Sequence, residues 1–158
     1  MVNKRRLKAL FFSVLFISCN SDIHIYENSV ISSPHPIASE TGKLIYSLGG
    51  NAFDAAVAAA FTLSVVEPSM SGIGGRLQAI YRKSDGLISG VDAMTQIPES
   101  FNNLDLDNLE SYGYKTIGIP GVVAGLLKLH SEHGILDLET IMEPYIYIAE
   151  KGFIILPK

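Results

Sequence analysis

A run of small residues between a double glycine and a proline limits what this chain can fold into more than any other feature. Gly49-Gly50 ends one periodic segment, and Asn51 is placed to cap the next. Ala52, Ala55, Ala56, Ala58, Ala59 and Ala60 follow, and Pro68 closes the stretch. Alanine is the best helix former, so Ala52 to about Val65 reads as a helix. Small side chains on nearly every face let neighbours approach from all sides. Such a helix belongs inside a layered fold, not on its surface. Asp54, in its first turn, suits the positive end of the helix.

The elements around it follow from spacing. A helix starts at Pro36, with Ile37, Thr41, Leu44, Ile45 and Leu48 at helical intervals. Ser69–Gly75 reads as a small-residue turn with three glycines. Leu77–Arg82 and Leu87–Asp92 read as strands joined at Ser84-Asp85-Gly86. Thr95–Ser100 is a loop around Pro98, and Phe101–Tyr114 stays open between a loop and a short helix over Leu104–Leu109. Lys115–Ile119 reads as a strand. Pro120 opens a helix whose inward face carries Val122, Val123, Leu126, Leu127 and His130, and Gly134 ends it. Asp137 caps a last helix, which Pro144 must kink or restart and Gly152 stops. The chain closes on an apolar stretch, Phe153–Leu156, which calls for a partner element.

The first residues are processing signal, not fold. Lys4, Arg5, Arg6 and Lys8 precede the apolar run Leu10–Ser18, which is too short to span a bilayer. Residues 1–18 therefore read as a secretory signal peptide, 19–30 as a tether, and 31–158 as the folded part. Cys19 follows Phe16-Ile17-Ser18 and resembles the lipid-bearing cysteine of a bacterial lipoprotein, with the usual Leu one place early at Leu15. The alternative is a plain secreted protein with a free thiol. Loss of the basic start leaves eight Lys and Arg against sixteen Asp and Glu, a net charge of −8. An acidic body on a lipid tether is expected to stand off an anionic membrane surface, with the export route ending at the membrane or in the periplasm.

Composition excludes other classes. The charge and the absence of any Lys/Arg cluster after the start argue against nucleic-acid binding. With one Cys no intrachain disulfide forms. Gly72-Ile73-Gly74-Gly75 lacks the Lys-Ser/Thr of a phosphate loop and follows a helix where such loops follow a strand. His130 and His133 are spaced for a metal, but no third ligand accompanies them, and histidine near a helix C-terminus is favoured by the dipole. No cofactor is expected. Glu40, Asp54 and Glu67 read as capping and loop-tying carboxylates.

Three stretches together resemble the gamma-glutamyltransferase (glutathione hydrolase) family. They are His35-Pro36-Ile37-Ala38-Ser39-Glu40-Thr41-Gly42; Gly49 through Ala60, continuing over Val65-Val66-Glu67-Pro68 to Ser71-Gly72-Ile73-Gly74-Gly75; and Ile119-Pro120-Gly121 with Gly125-Leu126, His130, Gly134 and Ala149-Glu150-Lys151-Gly152-Phe153. The resemblance covers Val30 to Phe153 and corresponds to the N-terminal part of the family's large subunit. It implies an α/β fold, part of a four-layer αββα N-terminal-nucleophile sandwich. It also implies a precursor that cuts itself, so that a Thr at the start of the small subunit attacks a gamma-glutamyl amide, typically that of glutathione. The acyl group then passes to water or an amino acid. No matching Thr occurs here, so the chain alone is expected to be inactive and incomplete, with the C-terminal part or small subunit as its partner.

Two departures bear on substrate. Many members carry Asp-Gly-Arg-Glu after the hairpin, and the resemblance gives that Arg the substrate carboxylate. This chain has Asp92-Ala93-Met94-Thr95-Gln96-Ile97-Pro98, with Met94 at the Arg position. Arg76 stands where many members continue with glycine. Met94, Arg76, Thr95 and Gln96 are therefore the candidate substrate-binding residues. The resemblance leaves three readings: gamma-glutamyl amide cleavage, an acylase for a non-glutamyl amide, and a non-catalytic lipoprotein remnant.

Overall fold

The computed structural model describes residues 28–99 and 111–156. The expectations at Cys19, the tether up to residue 27 and the helix over Leu104–Leu109 lie outside them. The described elements are α1 (Pro36–Ser47), α2 (Ala52–Val66), α3 (Pro68–Ser71), β1 (Leu77–Arg82), β2 (Ile88–Ala93), a 3-10 turn at Tyr114–Thr116, α4 (Val122–His133) and α5 (Leu138–Lys151).

The alanine helix is the axis of the molecule. α2 packs against α1, α4 and α5, and α4 in turn lies on the hairpin. Ala55, Val57, Ala58 and Phe61 of α2 form one core with Ile45, Val91, Leu126, Leu129 and Ile141. The Asn51 side chain accepts from the Phe53 and Asp54 amides at 2.8 and 3.0 Å, while the Asp54 carboxylate accepts from the Asn51 amide at 3.0 Å. Both halves of a capping box are thus present. Inside the α1–α2 contact, the buried Thr62 hydroxyl donates to the Thr41 hydroxyl at 3.2 Å, and Thr41 donates to the Ile37 carbonyl.

Strands β1 and β2 pair antiparallel, with Leu77 opposite Ala93 and Arg82 opposite Ile88. Strand β2 begins one residue later than the alternation predicts. Gly86 takes φ 91° at the turn, and the Asp85 carboxylate holds the Leu87 amide at 2.9 Å. Leu77, Ala79, Tyr81, Val91 and Ala93 face the helices. The opposite face is open, with Ile80 87% and Ile88 66% exposed.

Several expectations need correction. On α1 the buried residues are Ala38, Thr41, Gly42 and Ile45, whereas Leu44 and Leu48 are exposed. Gly42 lies against Ile31, so the closest packing is made where there is no side chain. On α4 the buried residues are Gly125, Leu126 and Leu129; Val123 and Leu127 are exposed. That helix starts at Val122, after Pro120 and Gly121. Part of the Ser69–Gly75 turn is a short helix, α3, with Pro68 at its first position. Lys115–Ile119 is not a strand. Gly113 at φ 108° and the Thr116 hydroxyl on the Gly113 carbonyl close a 3-10 turn, and one bridge joins Ile119 to Gln96. Pro144 lies within α5, which runs through it without a break. The helix keeps Ile141 buried and Tyr145 packed on Phe61, with ring centroids 5.7 Å apart.

Helix ends are satisfied locally. The buried His35 ring accepts the Ile37 amide at 3.2 Å and caps α1. Asp137 accepts the Thr140 amide at 2.8 Å and its hydroxyl at 2.9 Å. The Thr140 amide, then its hydroxyl, hold the Asp137 carboxyl below its ordinary range.

Candidate functional site

Four features from three separate stretches of sequence meet at one end of the hairpin. The first is the glycine turn Gly72–Gly75, fixed by a hydrogen bond from the Gly75 amide to the Gly72 carbonyl at 3.1 Å. The second is the entry to β1, where Arg76 is exposed. The third is the exit from β2 through Met94, Thr95 and Gln96. The fourth is Ile119-Pro120-Gly121, leading into α4.

The backbone ties them together. The Gly75 carbonyl accepts from the amides of Gly121 (3.2 Å) and Val122 (3.3 Å). Gln96 and Ile119 exchange both backbone hydrogen bonds, at 3.0 and 2.8 Å. Gly121 sits so close to the Ala93 carbonyl that a side chain there would collide with it, and one at Gly118 would collide with the Thr95 methyl. Gly121 is therefore required by close backbone approach, and Gly118 by the Thr95 side chain packed on it.

All four candidate residues lie in this region. Leu77–Ala93 is the last pair of the ladder, so Arg76 and Met94 are the next residues outward on adjacent strands. Met94 is half-buried, and Thr95 and Gln96 are exposed. An open cleft of about 590 Å³ lies between the end of α2, α3 and the start of β1, and Arg76 is one of its walls. Of this cleft only Pro68 and the three glycines are legible in the sequence, because its shape depends on how α3 is set against the end of α2 and the start of β1.

The carboxylates and histidines sort differently. Asp54, fully buried, reaches beyond its own cap to the Ile135 amide at 3.1 and 3.2 Å and the Leu136 amide at 3.4 Å. It pins the α4–α5 connection to the start of α2. His130 Nε2 stands 2.9 Å from the Leu136 carbonyl. His133 Nε2 stands 3.0 Å from the Tyr81 hydroxyl, in a cluster with Phe53. Each imidazole is thus engaged within the fold. Among the described residues no group of three or more His, Cys, Asp or Glu side chains is placed to hold a metal, and no helix is long and apolar enough to cross a membrane.

The fold superposes on the gamma-glutamyltranspeptidase of Helicobacter pylori with a TM-score of 0.74 at 32% identity, over 83% of this chain and 40% of that one. Helices on one side of an antiparallel hairpin, the other side open, are thus part of the α/β sandwich of N-terminal-nucleophile hydrolases. A family model described as gamma-glutamyltranspeptidase matches residues 38–158. The chain is 35% identical over 143 residues to the acylase ACY 1 proenzyme of Pseudomonas sp. (strain SE83), covering 81% of this chain and 25% of that protein. It is 32% identical over 141 residues to the glutathione hydrolase proenzyme of Bacillus subtilis, covering 83% and 24%. The chain belongs to the gamma-glutamyltranspeptidase family. It spans about a quarter of the length of these curated relatives.

Proposed function

We propose that this chain is the front part of an exported enzyme that cleaves gamma-glutamyl or related amides through an acyl-enzyme. The nucleophile comes from sequence outside these 158 residues. Its hydroxyl adds to the amide carbonyl, its proton passes to the departing amine, and water or a second amine then takes the acyl group. The observation that carries this reading is the meeting of two family-like stretches, the glycine turn and Ile119–Gly121, with the β2 exit at the end of one hairpin. None of the residues there is an activated nucleophile, so the chain's part is to shape and bind.

The test is to assay the chain alone and together with the rest of the protein encoded downstream, using a gamma-glutamyl anilide. No turnover is expected from the chain alone, and turnover from the pair. Turnover by neither, with both parts folded, overturns the reading and leaves a non-catalytic binding protein. Met94 favours a second reading, an acylase for an uncharged acyl group; the likeness to acylase ACY 1 supports an acylase without bearing on the charge of its acyl group. Faster release of a butyryl than of a glutamyl anilide is the result that reading requires.

Export and anchoring rest on the basic start, the apolar run and Cys19. Cells fed labelled palmitate are expected to label the protein, and Cys19→Ser to abolish the label while export continues. Equal labelling of Cys19→Ser, or no label on either, rules out the lipid anchor.

A further inference from the structure

The geometry points to Asp85, in the hairpin turn, as a site of spontaneous covalent modification, where the main chain passes from the aspartyl to the isoaspartyl form through a cyclic imide. Water is the only co-reactant, and the reaction is independent of the amide-cleavage reading above.

Sequence and turn together single out this residue. Asp85 is the only Asp or Asn in the chain that a Gly follows. The ring closes when the nitrogen of the next residue reaches the side-chain carbonyl carbon. A Cβ on that next residue hinders the approach, and glycine has none. Gly86 takes φ 91°, and the nearest atom to a side chain begun there is an Arg82 guanidinium nitrogen at 3.7 Å, so the space round this peptide is open. Asp85 is itself exposed, and its carboxylate accepts the Leu87 amide at 2.9 Å. An acceptor that reaches two residues ahead folds the side chain forward over the peptide joining Asp85 to Gly86. The other aspartates among the described residues are held differently. Asp54 is fully buried with both oxygens bonded, Asp92 precedes Ala93 in the paired ladder, and the Asp137 carboxylate is turned to Thr140.

In the first step the Gly86 nitrogen bonds to Asp85 Cγ and gives up its proton. One carboxylate oxygen, with that proton and another from solvent, leaves as water. Water then opens the imide. Cleavage of the bond from nitrogen to Cγ restores Asp85. Cleavage at the main-chain carbonyl leaves Gly86 joined through Cγ, an isoaspartyl link of unchanged mass. Two hydrogen bonds oppose the first step: the Gly86 amide donates to the Lys83 carbonyl at 3.0 Å, and the Lys83 amide to the Leu87 carbonyl at 2.8 Å. Both lie at the tip of a two-stranded ladder, outside the Arg82–Ile88 pair, where local opening takes least. The isoaspartyl link adds one atom to the main chain within the turn and moves the carboxylate onto Cα. The Leu87 amide thereby loses its acceptor, and the Arg82–Ile88 pair its register. Leu77 and Ala93, at the other end of the ladder and packed on the helices, are out of reach of the change.

The experiment is a long incubation of the full 158-residue chain at neutral pH, folded and in urea, followed by peptide mapping with electron-transfer fragmentation, which tells the two isomers apart. In the folded chain at least about tenfold more isoaspartate is expected at Asp85 than at Asp54, Asp92 or Asp137. Because the turn bonds are exposed, the rate at Asp85 should lie within about threefold of its rate in urea. Asp85→Asn forms the same imide with loss of ammonia and should react faster. Asp85→Glu requires a larger ring and should give no product. Asp85 is exposed, so both variants should keep the dispersed spectrum of the parent. As product accumulates, amide NMR should show the Leu87 and Ile88 signals move while those of Leu77 and Ala93 stay. Isoaspartate no more abundant at Asp85 than at the other three positions, or formed in the folded chain at least about tenfold more slowly than in urea, overturns the site. Product in Asp85→Glu at the parent rate does the same.

Discussion

Replacing Asp54 with alanine is expected to lower the unfolding free energy by about 3–4 kcal/mol, since it takes their charged acceptor from the part-buried amides of Asn51, Ile135 and Leu136, and hydrogen bonds to charged groups are worth about 1.5–3 kcal/mol each. The carboxylate is fully buried, yet it makes its bonds in two directions. One oxygen closes the capping box on the Asn51 amide, and both oxygens hold the Ile135 amide. Removing them frees the α4–α5 connection from the start of α2 at the same stroke. Gly134 packs so closely that an added atom there would lie 2.6 Å from the Asp54 oxygen. The loss is a large share of the 5–15 kcal/mol typical of a domain, and in urea it should move the midpoint by about 1–3 M. Asp54→Asn keeps the shape and one acceptor but turns an NH2 toward amide donors, so about half the loss is expected. A midpoint for Asp54→Ala within experimental error of the parent, at unchanged slope, would show that the carboxylate is not the tie the distances describe.

That residue also marks where sequence reasoning stops. Asn51, the alanines and Asp54 make a helix start that can be read directly, and the structure has it. The hairpin was equally open to reading, since alternation and Ser84-Asp85-Gly86 leave little choice of register. The second set of Asp54 bonds was invisible, because their donors lie in a loop whose approach depends on how α4 and α5 pack. The errors on α1 and α4 share one cause. Apolar periodicity ranks side chains by hydrophobicity, and it gave Leu44, Leu48, Val123 and Leu127 to the core. The packing instead presents Gly42 and Gly125, where neighbouring elements can come closest. At the candidate site, the departures at Arg76 and Met94 were readable as residue changes. Their adjacency came only with the ladder register, and the cleft only with the placement of α3.

Gly125→Leu is expected to cost about 3 kcal/mol, at the upper end of what overpacking a core costs. A side chain begun at Gly125 would stand 2.6 Å from the Ala93 methyl and 2.8 Å from a Leu77 methyl. Leu77 and Ala93 are the last pair of the ladder, so neither can retreat without opening the hairpin end. Gly125→Ala tests the same contact more gently. Its Cβ alone meets the Ala93 methyl at 2.6 Å, so a net loss of about 1 kcal/mol is expected even after the gain in helix propensity. Leu127→Ala is the contrast, because the periodicity put that residue in the core. At 37% exposed, its truncation should cost under the roughly 2–5 kcal/mol of a buried leucine. Urea unfolding of the three variants decides which face of α4 meets the hairpin. A mild Gly125→Leu with a severe Leu127→Ala would turn the helix over and break the packing described for the site.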